Sequence, residues 1–235
     1  MKFVSIRLTR ALFLLPMFLC LICVLALPLK SYSLSAIANA SSNATITKKV
    51  VLDAGHGGFD GGTVSVTGNL EKDLNLSIAL KAKSFLKAFG FEVVMTREDE
   101  GALAESKKQD MYRRLEIAKN NPDALFVSIH QNHYSQQKYL GAQMFYGTQN
   151  KEESRALALT LQENFKNNLN PQNTRQIKEG DSSLFLLKQS PLVSVMIECG
   201  FLSNYSESKL LENEEYQSKI AFTIAQSITE YYAHK

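Results

Sequence analysis

The stretch KVVLDAGHGGFDGG, residues 49–62, decides how this chain folds. Lys49 to Ala54 is β-branched and apolar, the composition of a strand buried on both faces, and it ends at Gly55. Gly57, Gly58, Gly61 and Gly62 then make a backbone-permissive loop that carries His56. A histidine in such a loop is not a core residue. From Leu70 the pattern turns helical, with Leu74, Ile78, Phe85 and Leu86 on one face and a stop at Gly90.

Working outward, Phe91 to Thr96 reads as a second strand and Met111 to Asn120 as a helix ended by Pro122. Ala124 to His130 and Ala142 to Tyr146 read as the next strands. Glu152 to Leu169 reads as a helix with Ala156, Leu159 and Phe165 inward, stopped near Pro171. Leu184 to Leu187 and Val193 to Ile197 read as short strands, and Tyr216 to Tyr232 as a closing amphipathic helix. This alternation predicts a single α/β domain, an open, mostly parallel, twisted sheet of about six strands with helices on both faces. In such sheets the functional crevice lies beyond the carboxyl ends of the strands. His56, His130 and Glu198 each fall at or just past the end of a predicted strand.

The 235 residues suffice for an export segment and one domain with a sizeable core. The net charge of +3 misleads, because residues 1–40 hold Lys2, Arg7, Arg10 and Lys30 and no acid, so the remainder is nearly neutral. No basic run interleaved with aromatics suggests a nucleic-acid face. Residues 1–40 read as a signal peptide or an N-terminal membrane anchor, with a positive start, an apolar run from Ala11 to Leu29, and Ala38-Asn39-Ala40 as a small-x-small cleavage pattern. The run exceeds the roughly 7–15 residues of a usual signal core and approaches the roughly 20 that span a bilayer. Cleavage and retention both stay open, and either places the domain outside the membrane. Membrane contact is expected only through residues 11–29, if uncleaved. Cys20 and Cys23 lack the small preceding residue of a lipoprotein signal and read as apolar filler. Residues 41–47 read as a linker and 48–235 as the catalytic domain. That domain keeps only Cys199, so no internal disulfide can hold it together.

A catalytic zinc typically takes three protein ligands and leaves a fourth position to water. The domain offers His56, His130, His133 and His234; the last is next to the end of the chain and is set aside. A lone strand histidine such as His130 is more often structural than a ligand, but with His56 at the same sheet edge a metal becomes the better reading. Glu71 opens a helix, where the helix dipole alone favours a carboxylate, so a ligand and a dipole role both stand. Glu198 ends the apolar run Val193 to Ile197, and a carboxylate there needs a partner or a purpose. Beside a metal-bound water it would serve as general base. His133 reads as a substrate contact or pocket wall, because as a fourth ligand it would close the open coordination position. Cys199 reads as a core residue and not as a nucleophile.

Four signatures, Gly-His-Gly-Gly at His56, Glu-Lys-Asp at Glu71, Ser-Ile-His-x-Asn at His130 and Ile-Glu-x-Gly-Phe-x-Ser-Asn at Glu198, run through most of the chain from Lys48 to Tyr232. Together they resemble the zinc-dependent N-acetylmuramoyl-L-alanine amidases that trim bacterial peptidoglycan. The resemblance implies zinc (Zn2+) held by His56, Glu71 and His130, and Glu198 as the catalytic carboxylate. It matches Arg114 and Ala118 to the family's second helix and Arg97 to the arginine after its second strand. Asn132, Arg114 and His133 are the candidate substrate contacts. The implied reaction is hydrolysis of the amide joining N-acetylmuramic acid to L-alanine, with peptidoglycan of cortex or cell wall as partner. The short interval between His130 and Glu198 leaves no room for the plugging helix of some periplasmic relatives, so control is expected to come from expression, location or a regulatory protein partner. One export segment without a wall-binding repeat resembles the germination-specific spore-cortex amidases, whose action leads to muramic δ-lactam. A zinc peptidase of the stem peptide and a catalytically silent wall-binding protein are the competing readings.

Overall fold

In the computed structural model, which describes residues 48–235, six strands form one sheet in the order β2-β1-β3-β6-β4-β5. The export segment and linker proposed for residues 1–47 lie outside the described residues. The strands are β1 (Lys49–Ala54), β2 (Glu92–Met95), β3 (Ala124–Asn132), β4 (Gln143–Tyr146), β5 (Lys178–Glu179) and β6 (Val193–Phe201). All neighbours are parallel except β4 and β6, which run antiparallel. The helices are α1 (Glu71–Ala88), α2 (Lys107–Lys119), α3 (Lys151–Asn168), α4 (Phe185–Gln189), α5 (Tyr205–Leu211) and α6 (Glu214–Ala233). No described helix is long and apolar enough to cross a membrane.

Side chains alternate across each strand, so the two faces of the sheet receive different residues. Val50, Leu52, Leu125, Val127, Ile129, Val195 and Ile197 join the core under α1, α3 and α6. Val51 and Phe126 point the other way, against Leu115, Ala118 and Leu186 of α2 and α4. Alternation also sends Asp53, Ser128, Met196 and Glu198 to this second face.

Helix α1 buries the stripe Leu74, Ile78, Ala82 and Leu86, with Phe85 only half-buried. It ends as the sequence expects: Gly90 takes φ +88°, and the amides of Gly90 and Phe91 donate back to the carbonyls of Lys87 and Leu86. Helix α2 begins four residues before its predicted start, because Ser106 caps it by accepting from the Gln109 amide.

Two sequence expectations are corrected. Leu184 to Leu187 is not a strand, since Phe185–Gln189 forms the short helix α4, which buries Leu186 and Leu187. An apolar run of four residues suits either state, and Asp181, accepting from the Ser183 amide, turns the chain just ahead of it. The sheet's remaining strand is the two-residue β5, too short to show a pattern. Helix α3 buries Ser154, Leu157, Ala158, Leu161, Gln162 and Phe165, while Ala156 and Leu159 are exposed. Polar groups set that face. The Ser154 hydroxyl accepts from the Ser194 amide, and Gln162 bonds both the Met144 amide and the Ala142 carbonyl. Backbone groups left open beside short strands are thereby satisfied. The unpredicted α5 starts at Asn204, which caps it by accepting from the Glu207 amide.

Candidate metal centre

Each candidate ligand reaches the carboxyl edge of the sheet from a different element. His56 follows β1, Glu71 is the first residue of α1, and His130 lies near the end of β3. Their ligand atoms all lie within 4.8 Å of one another. Oε1 of Glu71 is 3.2 Å from Nε2 of His56 and 3.0 Å from Nδ1 of His130. The amide of Gln131 donates to the same oxygen, and the Thr63 amide donates to Oε2. Burial alone would raise the Glu71 pKa, but hydrogen bonds from His130 and His56 outweigh it and hold the carboxyl well below the usual range. Glu71 therefore sits at the start of a helix, as a dipole role asks, and is also buried against both histidines.

His56 owes its direction to its backbone and to one acid. It is the described non-glycine residue with positive φ, at +61°, a conformation that costs an ordinary side chain about 1–2 kcal/mol. Its Nδ1 lies 3.0 Å from Oδ2 of Asp60. A carboxylate only accepts, so Nδ1–H donates there and fixes the ring with Nε2 facing Glu71. Burial would lower the His56 pKa, yet Glu71 and Asp60 together raise it. Lys107 reaches the same Asp60 oxygen at 3.1 Å, and the acid's pKa falls to about 2 despite its partial burial, chiefly through the His56 hydrogen bond.

Two glycines are required by the ring positions. A Cβ on Gly55 would lie 2.2 Å from Cε1 of His130, and one on Gly62 would lie 2.6 Å from Oε2 of Glu71 and 2.7 Å from Cδ2 of His56. The glycine run is thus a cradle for the ligands as well as a flexible loop.

Glu198 stands in register with His130 across the β3–β6 ladder, and with Gln143 of β4 on its other side. Its Oε2 is enclosed without a hydrogen-bond partner. Burial, reinforced by the Glu71 charge and opposed by His130 and His56, pushes its carboxyl up to about 7. A carboxylate without a donor, raised by burial and set beside three convergent candidate ligands, is a candidate for proton transfer. Cys199 points into the core as the sequence suggested, with its thiol pushed up by burial. Beside His56 and His130 opens a cavity of about 160 Å³, lined in part by Lys107, Met111, Ser183, Leu184, Phe185 and Met196.

The remaining candidates divide. Asn132 is half-buried at the β3 bulge, and its carbonyl accepts from the Leu202 amide. His133 is exposed and is outside the ligand cluster. Arg114 lines the same cavity as His56 and His130, but its side chain is 1% exposed and its guanidinium is held by Asp53 and Asp110. Sequence reasoning missed Asp60, whose signal was an acid four residues after His56 in the same loop. It also missed Asp53 and Asp110, which flank Arg114. Asp110, one helical turn before that arginine, was the legible clue.

Two imidazoles and a carboxylate converging at a sheet edge, with a spare carboxylate alongside, are the donor set that metal-dependent hydrolases use. Residues 50–230 match the family described as N-acetylmuramoyl-L-alanine amidase, and this chain belongs to that family. Its reaction is hydrolysis of the amide between N-acetylmuramic acid and L-alanine in peptidoglycan. The chain is 35% identical over 196 residues to the germination-specific N-acetylmuramoyl-L-alanine amidase of Bacillus subtilis, covering 80% of this chain and 81% of that one. Among solved structures it is similar to the CwlD amidase of Clostridioides difficile in complex with the GerS lipoprotein. That match has a TM-score of 0.76 and 40% identity over 80% of this chain and all of the other. The catalytic domain of the CwlV amidase from Bacillus (Paenibacillus) polymyxa matches with a TM-score of 0.68 and 34% identity, covering 80% of this chain and all of that domain.

Proposed function

We propose that this amidase is a zinc enzyme in which His56, Glu71 and His130 hold the ion and Glu198 moves the proton, acting on spore-cortex peptidoglycan outside the cell membrane. The observation that carries the reading is the Glu71 carboxylate set between both histidines, with Glu198 beside His130 in register. When bound, zinc in such a site supplies a water of lowered pKa and a Lewis acid for the scissile carbonyl. The chain's own groups do the rest. Asp60 fixes the His56 tautomer, and the buried Glu71 carboxylate stays anionic. Glu198 accepts a proton from the attacking water at its enclosed carboxylate and returns it to the departing alanine amine.

The cortex assignment rests on likeness to the germination-specific relative, which also carries the expectation of muramic δ-lactam formation. A regulatory protein partner is supported by the CwlD–GerS pairing and by a site at which His56 and His130 remain partly exposed. Export through the apolar run at residues 11–29 would bring the domain to its substrate.

Purified cortex peptidoglycan digested with and without a chelator, with products identified by mass spectrometry, tests the reading. Chelator-sensitive release of intact stem peptides is the expected result. Cleavage within the peptide would favour a stem-peptide peptidase, and no product from folded, zinc-loaded protein would favour a silent wall-binding role.

A further inference from the structure

The carbonyls of three successive residues, Ala54, Gly55 and His56, leave the end of β1, and each is gripped by a buried arginine. Arg97 donates from Nε to Ala54 at 2.9 Å and from Nη2 to Gly55 at 3.0 Å. Arg114, reaching over from α2, donates from Nη1 to Ala54 at 2.8 Å and from Nη2 to the His56 carbonyl at 2.6 Å. Its other contacts anchor it: Nη1 to Oδ1 of Asp53 and Nε to Oδ2 of Asp110, both at 2.6 Å. Asp53 is itself fixed by donation from the hydroxyls of Ser128 and Thr96. Two arginines face two aspartates, so the cluster is neutral although it is buried and needs no further ion to complete it.

We infer that Arg114 is a positioning residue for His56, and this rests on the reading of His56 as a metal ligand. The carbonyl that Arg114 holds belongs to the peptide plane that ψ of His56 orients. Fixing that plane keeps His56 in the left-handed conformation which sends its ring to Asp60 and Glu71. Released from it, the residue can relax towards negative φ, and the ring then swings out of reach of Glu71. Only a planar fork serves here, because its nitrogens must reach a helix carboxylate, a strand carboxylate and a loop carbonyl in different directions. A lysine offers one point of charge. The arginine that the sequence placed among the substrate contacts thus acts on the metal site through the backbone of His56.

The test uses the full-length chain and compares Arg114→Lys with Leu161→Ala, a cavity mutation in the opposite core. Zinc affinity is read by competition with a chromophoric chelator on protein shown to be folded by circular dichroism. Arg114→Lys is expected to weaken zinc binding roughly 10–100-fold, the usual range for outer ligand supports. Leu161→Ala is expected to lower thermal stability while leaving zinc affinity within about twofold, as distant sites do. Unchanged zinc affinity in folded Arg114→Lys overturns the inference, as does an equal loss in Leu161→Ala. Should Arg114→Lys fail to fold, Asp110→Asn removes the charge that aims Nε. It is expected to weaken zinc binding several-fold, and unchanged affinity there overturns the inference instead. Absence of zinc binding in the unmutated chain, or binding that survives His56→Ala, would overturn the metal-centre reading itself and is distinguishable because no arginine variant is involved.

Discussion

The face of the sheet beneath α1, α3 and α6 is filled by aliphatic side chains such as Leu52, Val127, Leu161 and Ile224. The face beneath α2 and α4 has a smaller apolar cluster and buries Asp53, Ser128 and Arg114 beside it. The first face supplies hydrophobic stabilisation and asks little of geometry beyond volume. The second is assembled from hydrogen bonds whose directions matter, and it is the face towards which Glu198 points. Most of the apolar core thus lies on one side of the strands, while the supports of His56 and the Glu198 side chain lie on the other.

Substitutions on the two faces should therefore separate stability from chemistry. The largest effect is expected from Glu198→Gln, which keeps the side chain's size and removes the base. Turnover should fall about 10²–10⁴-fold with zinc content unchanged, since general base catalysis contributes on that order. Retained turnover would sink the assigned role. On the opposite face, Leu161→Ala should lower unfolding free energy by about 2–5 kcal/mol in urea titrations while zinc content persists.

A pH dependence follows for metal-free protein. The folded Glu198 carboxyl is pushed up to about 7 from 4.5, mainly by burial. Its contribution to stability is then fully present below the unfolded value and is lost as pH rises through the folded one. Between those limits the metal-free chain should lose about 3 kcal/mol relative to Glu198→Gln, which has no carboxyl to titrate. Equal slopes for the two proteins in that window would contradict the shift. The smallest effect is expected from Leu159→Ala on the outer side of α3, within about 0.5 kcal/mol. A larger loss would mean that this side is covered by something.

How much of this was legible follows the same division. The apolar face was read well wherever periodicity decided it, as in α1, whose stripe and glycine stop matched their expected places. It was misread in α3, because Ser154 and Gln162 look like surface residues until the amides of Ser194 and Met144 are seen to need them. A one-turn helix at Phe185 and a two-residue strand at Lys178 carry no period to read. On the polar face, strand ends and the family likeness singled out His56, Glu71, His130 and Glu198. Their supports were read less well: Asp60 and Asp110 left i,i+4 signals that were missed, while Asp53 acts through partners set only by tertiary placement. Arg114 shows the limit most clearly: its ties to Asp53, Asp110 and the His56 carbonyl could not be read from its position in the sequence.

The measurement closest to the central claim is diffraction from zinc-loaded crystals at energies on either side of the zinc absorption edge. This account predicts one anomalous peak bonded to His56, Glu71 and His130, with the Glu198 carboxylate facing it and not ligating. A peak ligated by Glu198 or by His133, or no peak at those three residues in a chain that still hydrolyses peptidoglycan, would contradict it.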